Sequence, residues 1–371
     1  MKLNEIYTPA IVVDLDAMEA NLKKYCDAAR KNGKQVWPMA KTHKSLELAK
    51  AQFDAGCTGF LCGTLDEAEA FCAAGYQNLM YAYPVATDVS IRRVVELAKK
   101  CNFVTRIDGL DAARLLNAGA EAAGVKINYT IIVDAGLHRF GIRPEDAGIF
   151  AKELASLQNL VFKGISTHPG HVYAAESKAD VPRYVEDERR TARIAVEALR
   201  KEGFECELVT SGSTPTFFGA TEDENLNVLH PGNYIFNDAI QLSTETATEA
   251  ECSLWIYASV VAHPAENLFI CDAGAKCLGL DQGAHGNTSI KGFGHVIGHP
   301  ELIVDGLSEE VGKIHVEGTT DLKVGDKIKI IPNHSCSSAN LTSYYVGVRG
   351  DEVDHLISVD IRSNSTKKNF Q

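Results

Sequence analysis

The sequence predicts a (β/α)8 TIM-like barrel followed by a C-terminal antiparallel β domain. In the first part of the chain, eight short apolar segments alternate with amphipathic stretches, the pattern of repeated parallel β/α units. Beyond Asp238 the chain changes to short β-rich runs separated by Gly, Asn and Asp turns, which is typical of antiparallel sheets. We expect the barrel to span 14–238 and the β domain to comprise 1–13 plus 239–371. A doubly wound open sheet is the alternative topology.

The elements follow in order from these patterns. Residues 6–15 are rich in β-branched side chains and predict a strand, and Asp16 is expected to cap the helix that follows. The predicted barrel strands are 36–40, 59–62, 78–81, 103–107, 127–133, 161–166, 205–209 and 227–229. Amphipathic segments at 65–74, 91–100 and 185–202 predict helices between them.

In the β domain we expect strands at 253–262, 268–271, 313–317, 327–331, 344–349 and 355–361, with the N-terminal strand joining them. Residues 363–371 are expected to form a frayed tail.

Composition excludes several classes of protein. A net charge of -12 with no basic cluster argues against a nucleic-acid surface. No apolar run approaches the length of a membrane span, and residues 1–9 lack the apolar core of a signal peptide. The ten cysteines contain no C-x-x-C pair and are best interpreted as reduced thiols. We expect a cytoplasmic protein that binds neither nucleic acid nor membrane.

Lys41 follows the first predicted barrel strand, and the active sites of such barrels lie at the carboxyl ends of their strands. A lysine directed into a pocket is costly unless its charge is used, and removal from water favours the free amine that forms Schiff bases. The alternative is that Lys41, Lys44 and Lys50 form a solvated basic run that opens a helix.

The loops after the seventh and eighth predicted strands have the composition of an anion site. Ser211, Gly212 and Ser213 offer hydroxyl and main-chain N–H groups, while Gly232 allows close approach and Asn233 adds a donor. A lysine amine and a phosphate cradle in one pocket suggest pyridoxal 5'-phosphate. The alternatives are an ordinary Ser/Thr/Pro turn, or a barrel that binds sugars or phosphates without a Schiff base.

His334 and Cys336 form a second candidate site, in the β domain. On an extended backbone, residues two apart point to the same face, so both side chains could bind one divalent ion. Water or substrate would then complete the shell, as in catalytic metal sites. The alternative is a buried free cysteine beside a hydrogen-bonded histidine.

Taken together, six motifs resemble the fold-type III pyridoxal-phosphate enzymes, and within them the group of D-threonine aldolases and eukaryotic-type D-serine dehydratases. The motifs are Ala-Lys-Thr-His-Lys at 40–44, Asp-x-Gly-x-x-Arg-x-Gly at 134–141, Ser-Gly-Ser-Thr-Pro-Thr at 211–216, Pro-Gly-Asn-Tyr at 231–234, Asp-Ala-Gly at 272–274 and Pro-Asn-His-Ser-Cys at 332–336. The chain departs from the group where Trp37-Pro38-Met39 replaces Arg-Pro-His and where Val311 replaces the histidine of Glu-His-Gly.

The resemblance implies a role for each site residue. Lys41 would carry the cofactor, Arg139 would bind its phenolic oxygen, and His334 with Cys336 would hold zinc or manganese. We expect Tyr173 to contact the ring nitrogen and His168, or in its place His171, to transfer protons. The phosphate would lie among Ser211, Gly212, Ser213, Gly232 and Asn233, with Tyr234 beside them.

The resemblance also implies a lyase that acts on β-hydroxy D-amino acids. We expect aldol cleavage of the D-threonine type, which gives glycine and an aldehyde. The alternatives are a D-serine or D-threonine dehydratase, which gives a 2-oxo acid and ammonia, an amino-acid racemase, and a non-catalytic cofactor-binding protein. A homodimer is expected, in which the β domain of one subunit closes the site of the other.

Overall fold

The computed structural model describes residues 1–283 and 287–362, so the predicted tail at 363–371 lies outside the described residues. Strand β1 (Ala10–Asp14) leads directly into helix α1 (Leu15–Lys31). The carboxylate of Asp14 accepts hydrogen bonds from the main-chain N–H groups of Asp16 and Ala17. The cap predicted at Asp16 is therefore wrong, because the extended backbone that a cap requires ends at Asp14 and Asp16 already lies in the first turn.

Eight parallel strands form the barrel. They are β2 (Gln35–Val36), β3 (Phe60–Cys62), β4 (Asn78–Tyr81), β5 (Asn102–Ile107), β6 (Ile127–Ile132), β7 (Leu160–Ser166), β8 (Leu208–Ser211) and β9 (Val228–Leu229). Neighbouring strands pair in parallel from β3 to β9, β9 pairs with β2, and a bridge between Met39 and Leu61 joins β3 to the segment after β2. The sheet thus closes, which confirms the barrel and excludes the open sheet.

Helices follow most of these strands and bury one face against them. After α1 they are α2 (Leu46–Asp54), α3 (Leu65–Ala73), α4 (Asp88–Ala98), α5 (Leu110–Ala122), α6 (Ala147–Leu154), α7 (Val181–Lys201), α8 (Phe217–Thr221) and α9 (Ala239–Ser243). Among the described residues, no helix is long and apolar enough to cross a membrane.

The second sheet is largely antiparallel, as predicted. Its later strands are β10 (Leu254–Ala265), β11 (Leu268–Cys271), β12 (His295–Val296), β13 (Leu302–Leu307), β14 (Gly312–Val316), β15 (Lys327–Ile331), β16 (Tyr344–Arg349) and β17 (Glu352–Ser358). Strand β1 lies between β10 and β16, and its pairing with β16 is parallel. Two short helices, α10 (Ala275–Leu278) and α11 (Ser335–Ala339), connect the strands. Helix α11 places the second sheet against the mouth of the barrel.

Candidate active site

A cavity lies at the carboxyl ends of the barrel strands, between the barrel loops and α11. The structure brings ten of the twelve predicted site residues to its wall: Lys41, Arg139, His168, Tyr173, Gly212, Ser213, Gly232, Asn233, His334 and Cys336. Ser211 and Tyr234 are not among its lining residues. The residues selected from separate motifs therefore converge on one space.

Lys41 lies in a 3-10 turn, Ala40–Thr42, immediately after β2. The Asn340 side chain, which follows α11, donates a hydrogen bond of 3.2 Å to the carbonyl of Lys41. Gly63 lies beneath the lysine, since a Cβ at that position would be 2.9 Å from the Lys41 Cβ. Lys44, by contrast, is 3.6 Å from Glu67, and Lys50 pairs with Asp54 at 2.5 Å. The three lysines therefore have separate environments and do not form one solvated run.

The loops after β8 and β9 leave main-chain donors available. A Cβ on Gly212 would lie 2.5 Å from the main-chain nitrogen of His230, so only glycine fits between the two loops. The N–H groups of Ser213, Gly232 and Asn233 have no hydrogen-bonding partner among the described residues. These groups line the cavity and can bind an anion.

Two predicted cofactor residues direct their side chains elsewhere. The hydroxyl of Ser211 donates to the buried carboxyl of Glu188. Tyr234 is fully buried, its hydroxyl accepts a hydrogen bond of 3.1 Å from Gln52, and its ring lies 4.7 Å from that of Tyr25. These contacts place the two side chains in the core behind the loops, away from the cavity.

A buried carboxylate joins the two parts of the site. Asp238 caps α9 and also accepts hydrogen bonds from the main chain of Ser335, at 2.9 Å, and from the Asn233 side chain, at 2.5 Å. The Ser335 hydroxyl in turn donates to the side-chain oxygen Oδ1 of Asn233 at 2.5 Å. The Asn233 side chain is thus occupied, and its contribution to an anion site is through its main-chain N–H.

His334 and Cys336 face the cavity from the start of α11. The backbone is extended at His334, but the prediction that it stays extended through Cys336 is wrong, because a helix begins at Ser335. The two side chains nevertheless contact each other, and the Cys336 sulfur lies 3.3 Å from the Thr42 hydroxyl. Burial alone would raise the pKa of the Cys336 thiol, but the neighbouring His334 cation lowers it overall, with Lys41 and Thr42 adding to the effect.

This pair matches the donor preference of a divalent ion. A thiolate and an imidazole are suitable zinc ligands, and Asp281 lies 3.4 Å from His334 Nδ1. Among the described residues, no group of three or more His, Cys, Asp or Glu side chains is arranged to hold a metal. An ion bound here would keep open positions for water or substrate, as catalytic sites require.

The structure adds residues that sequence reasoning did not assign. Arg106 Nη2, Thr167 Oγ1 and His230 Nε2 are buried without a hydrogen-bonding partner among the described residues, and all three residues line the cavity. Burial lowers the pKa of Arg106 to about 9. Buried polar groups are normally satisfied, so these three atoms fit a polar ligand such as the predicted cofactor and its substrate. A charged residue inside the apolar run 103–107 was the available sequence signal.

Of the three histidines that line the cavity, His168 and His230 are neutral acceptors. The Nδ1 of His168 donates to the Gly212 carbonyl at 2.8 Å, and that of His230 donates to the Trp37 carbonyl at 2.7 Å. Burial and nearby cations lower the pKa of each to about 3. His171 is not in the cavity wall and lies against Tyr184 and Asp187.

Comparison with known proteins agrees with this geometry. Residues 13–239 match the family model described as alanine racemase, N-terminal domain, and residues 253–348 match a putative serine dehydratase domain. The chain is 30% identical to 3-hydroxy-D-aspartate aldolase of Paracoccus denitrificans (strain Pd 1222), over 98% of this chain and 94% of that protein.

Two solved structures extend the comparison. The D-threonine aldolase of Filomicrobium marinum superposes with a TM-score of 0.89 at 27% identity, covering 98% of this chain and 97% of that one. A cysteine-to-alanine mutant of D-threo-3-hydroxyaspartate dehydratase, in a metal-free form, superposes with a TM-score of 0.90 at 26% identity, covering 96% and 98%.

Proposed function

The chain belongs to the alanine racemase N-terminal domain family of fold-type III pyridoxal-phosphate enzymes, and we propose that it cleaves β-hydroxy D-amino acids between Cα and Cβ. The observation that carries this proposal is the convergence of three features on one cavity. They are Lys41, two loops whose main-chain N–H groups lack partners within the described part of the chain, and the His334–Cys336 pair. The similar aldolases support the reaction type.

In this proposal the cofactor, when bound, supplies an electron sink for the bond that breaks at Cα. Lys41 holds it covalently, the N–H groups of Ser213 and Gly232 hold its phosphate, and Arg139 faces its phenolic oxygen. Tyr173 remains our proposal for the ring nitrogen. His230 Nε2, a neutral acceptor in the same cavity, also suits a protonated ring nitrogen.

We propose that His334 and Cys336 hold a divalent ion, zinc or manganese. Such an ion would act as a Lewis acid on an oxygen of the substrate. Asp238 fixes α11 through Ser335, and Asn340 ties the same helix to Lys41. The protein therefore sets the distance between the amine and the metal pair through hydrogen bonds, which is the positioning that catalysis requires.

The charge of the cavity favours a substrate with a carboxylate. Its wall contains the cations Lys41, Arg106 and Arg139, and no Asp or Glu is among the described lining residues. Arg106 is the buried cation whose Nη2 has no partner among the described residues, so we assign it to the carboxylate of the amino acid. His168, neutral near physiological pH, is our proposal for the group that accepts the proton of the β-hydroxyl.

Product analysis with D-threonine, D-serine and 3-hydroxy-D-aspartate tests the reaction. Glycine with an aldehyde is the expected result, with the L-isomers inert. A 2-oxo acid with ammonia would show the second candidate, a dehydratase, which the match to a serine dehydratase domain favours. Interconversion of D- and L-alanine with neither product would overturn both.

Three further parts of the proposal concern assembly, domain organisation and location in the cell. We propose a homodimer in which the β domain of one subunit closes the other's site. We propose a division between barrel and β domain at 238, and a cytoplasmic location.

A further inference from the structure

A carboxyl group is buried directly behind the loop that follows β8. Glu188 lies on the face of α7 that packs against the barrel, among apolar neighbours such as Tyr184 and Ala192, and has no exposed surface. A charge in such a place is costly unless it has a partner or is neutralised. None of the roles assigned above uses this residue.

The contacts of Glu188 form a path to the cavity. Its Oε1 accepts a hydrogen bond from Ser211, while its Oε2 has no hydrogen-bonding partner among the described residues. The hydroxyl of Thr216 faces the same carboxyl. Thr216 Oγ1 is 2.9 Å from Ser213 Oγ, and Ser213 lines the cavity. A relay therefore leads from Glu188 through Thr216 to Ser213.

The direction of this relay depends on one proton. An ionised Glu188 can only accept, so Thr216 turns its hydrogen toward the carboxylate and Ser213 donates to Thr216. A protonated Glu188 can donate to Thr216, which then donates to Ser213. In the second arrangement the hydrogen of Ser213 can point at an anion in the cavity without giving up a hydrogen bond to Thr216, whereas in the first it must give up that bond.

We propose that Glu188 is a positioning residue whose proton directs this relay, so that the cofactor's phosphate binds most tightly when Glu188 is protonated. The inference rests on the proposed function, in which the Ser213 loop holds that phosphate.

The surroundings of Glu188 keep its proton available near neutral pH. Burial raises the pKa of Glu188 to about 7, and the nearby hydroxyls of Ser211 and Thr216 oppose the rise. Of the smaller effects, the charge of Asp223 raises the pKa and that of Arg189 lowers it. A phosphate dianion in the loop adds negative charge, which favours the protonated form further. The affinity for phosphate should thus be highest below about pH 7. It should fall as the pH rises from the Glu188 pKa of the free protein to the higher Glu188 pKa of the complex.

The test measures binding of pyridoxamine 5'-phosphate and of pyridoxamine to the apoprotein between about pH 6.5 and 9, where the phosphate is mostly dianionic. Neither ligand has an aldehyde, so Lys41 cannot form an imine with it. We expect the affinity for the phosphate ester to fall at least about tenfold over this range, which corresponds to a difference of one pH unit between the Glu188 pKa in the complex and in the free protein. Pyridoxamine should show no such fall.

Two variants isolate the relay. Glu188→Gln keeps an acceptor toward Ser211 and a permanent donor toward Thr216, so it should bind the ester tightly at every pH. Thr216→Val removes the acceptor that competes for the Ser213 hydrogen, so it should bind the ester without the wild-type fall in affinity, which serves the test even if Glu188→Gln fails to fold. Glu222→Gln, the same change at an exposed residue that pairs with Arg189, is the matched control and should keep the wild-type profile.

The outcomes separate the two proposals. If the ester binds better than pyridoxamine and Glu188→Gln keeps the wild-type pH profile, the relay is wrong while the phosphate site stands. If Thr216→Val also keeps that profile, the relay is wrong for the same reason. If the two ligands bind equally at every pH, the loop is not a phosphate site and both proposals fall.

Discussion

Replacement of Arg106 by methionine should stabilise the apoprotein and impair the enzyme. Arg106 is 5% exposed, its Nε contacts the Met80 sulfur, and its Nη2 has no hydrogen-bonding partner among the described residues. Burial lowers the pKa of Arg106 from 12.5 to about 9. At about 1.4 kcal/mol per pH unit, the charged guanidinium therefore destabilises the native protein by at most about 5 kcal/mol at neutral pH. Replacing a buried ion pair by apolar residues often stabilises a protein by about 1–4 kcal/mol, and we expect a gain in that range for this buried cation.

The same variant should lose substrate affinity. A hydrogen bond to a charged group contributes about 1.5–3 kcal/mol, so the KM for D-threonine should rise about 10- to 100-fold. Urea unfolding of the apoprotein measures the first effect and steady-state kinetics the second. Arg143→Met is the control, because Arg143 is exposed and pairs with Asp146 at 2.8 Å, and it should change stability by less than about 0.5 kcal/mol. A destabilised Arg106→Met protein with an unchanged KM would show that Arg106 is structural.

Three further predictions follow from the site. A chelator should abolish turnover without removing the visible imine band, and zinc or manganese should restore turnover. His334→Ala and Cys336→Ala should be inactive, whereas the control Cys206→Ala should remain active. Full activity of a metal-free preparation would contradict this prediction. Asp238→Asn should weaken metal binding about 10- to 100-fold, because it weakens the hydrogen bond that fixes the start of α11. An unchanged metal titration would contradict this role of Asp238. Glu188→Gln should stabilise the apoprotein by about 3 kcal/mol above pH 7, because burial disfavours the ionised carboxylate of the native protein. The gain should fade as the pH falls toward 4.5, where the carboxyl group is protonated in both states. A gain that does not depend on pH in urea unfolding would show that ionisation of Glu188 is not its cause.

Much of the fold could be predicted because its signal is local. Each barrel strand is a short apolar run, and all eight were found within a few residues. Strands β12 and β13 were missed because β12 has two residues and β13 contains Gly306 and Asp305, which interrupt the β pattern. The helix that begins at Ser335 is missed by the sequence pattern, because a helix of five residues leaves almost no periodicity to detect.

The site was predictable where motifs carry the chemistry and not where tertiary contacts do. The motif Pro-Gly-Asn-Tyr at 231–234 predicts Tyr234 beside the phosphate, but the 3-10 turn Asn233–Ile235 directs its ring into the core. The role of Asp238 depends on contacts with Ser335, which is 97 residues away along the chain. Arg106 could have been predicted from the sequence, because a charged residue on a buried strand needs a partner and is therefore a candidate for ligand binding.

Borohydride reduction of the cofactor-loaded protein, followed by peptide mapping, tests the central claim most directly. Reduction converts the Schiff base to a stable secondary amine and marks the lysine that held the cofactor. We expect the label on Lys41 and no label on Lys41→Ala, which should still bind the cofactor weakly through its phosphate. A label on Lys44 or Lys276, or no label at all, would contradict the assignment of Lys41.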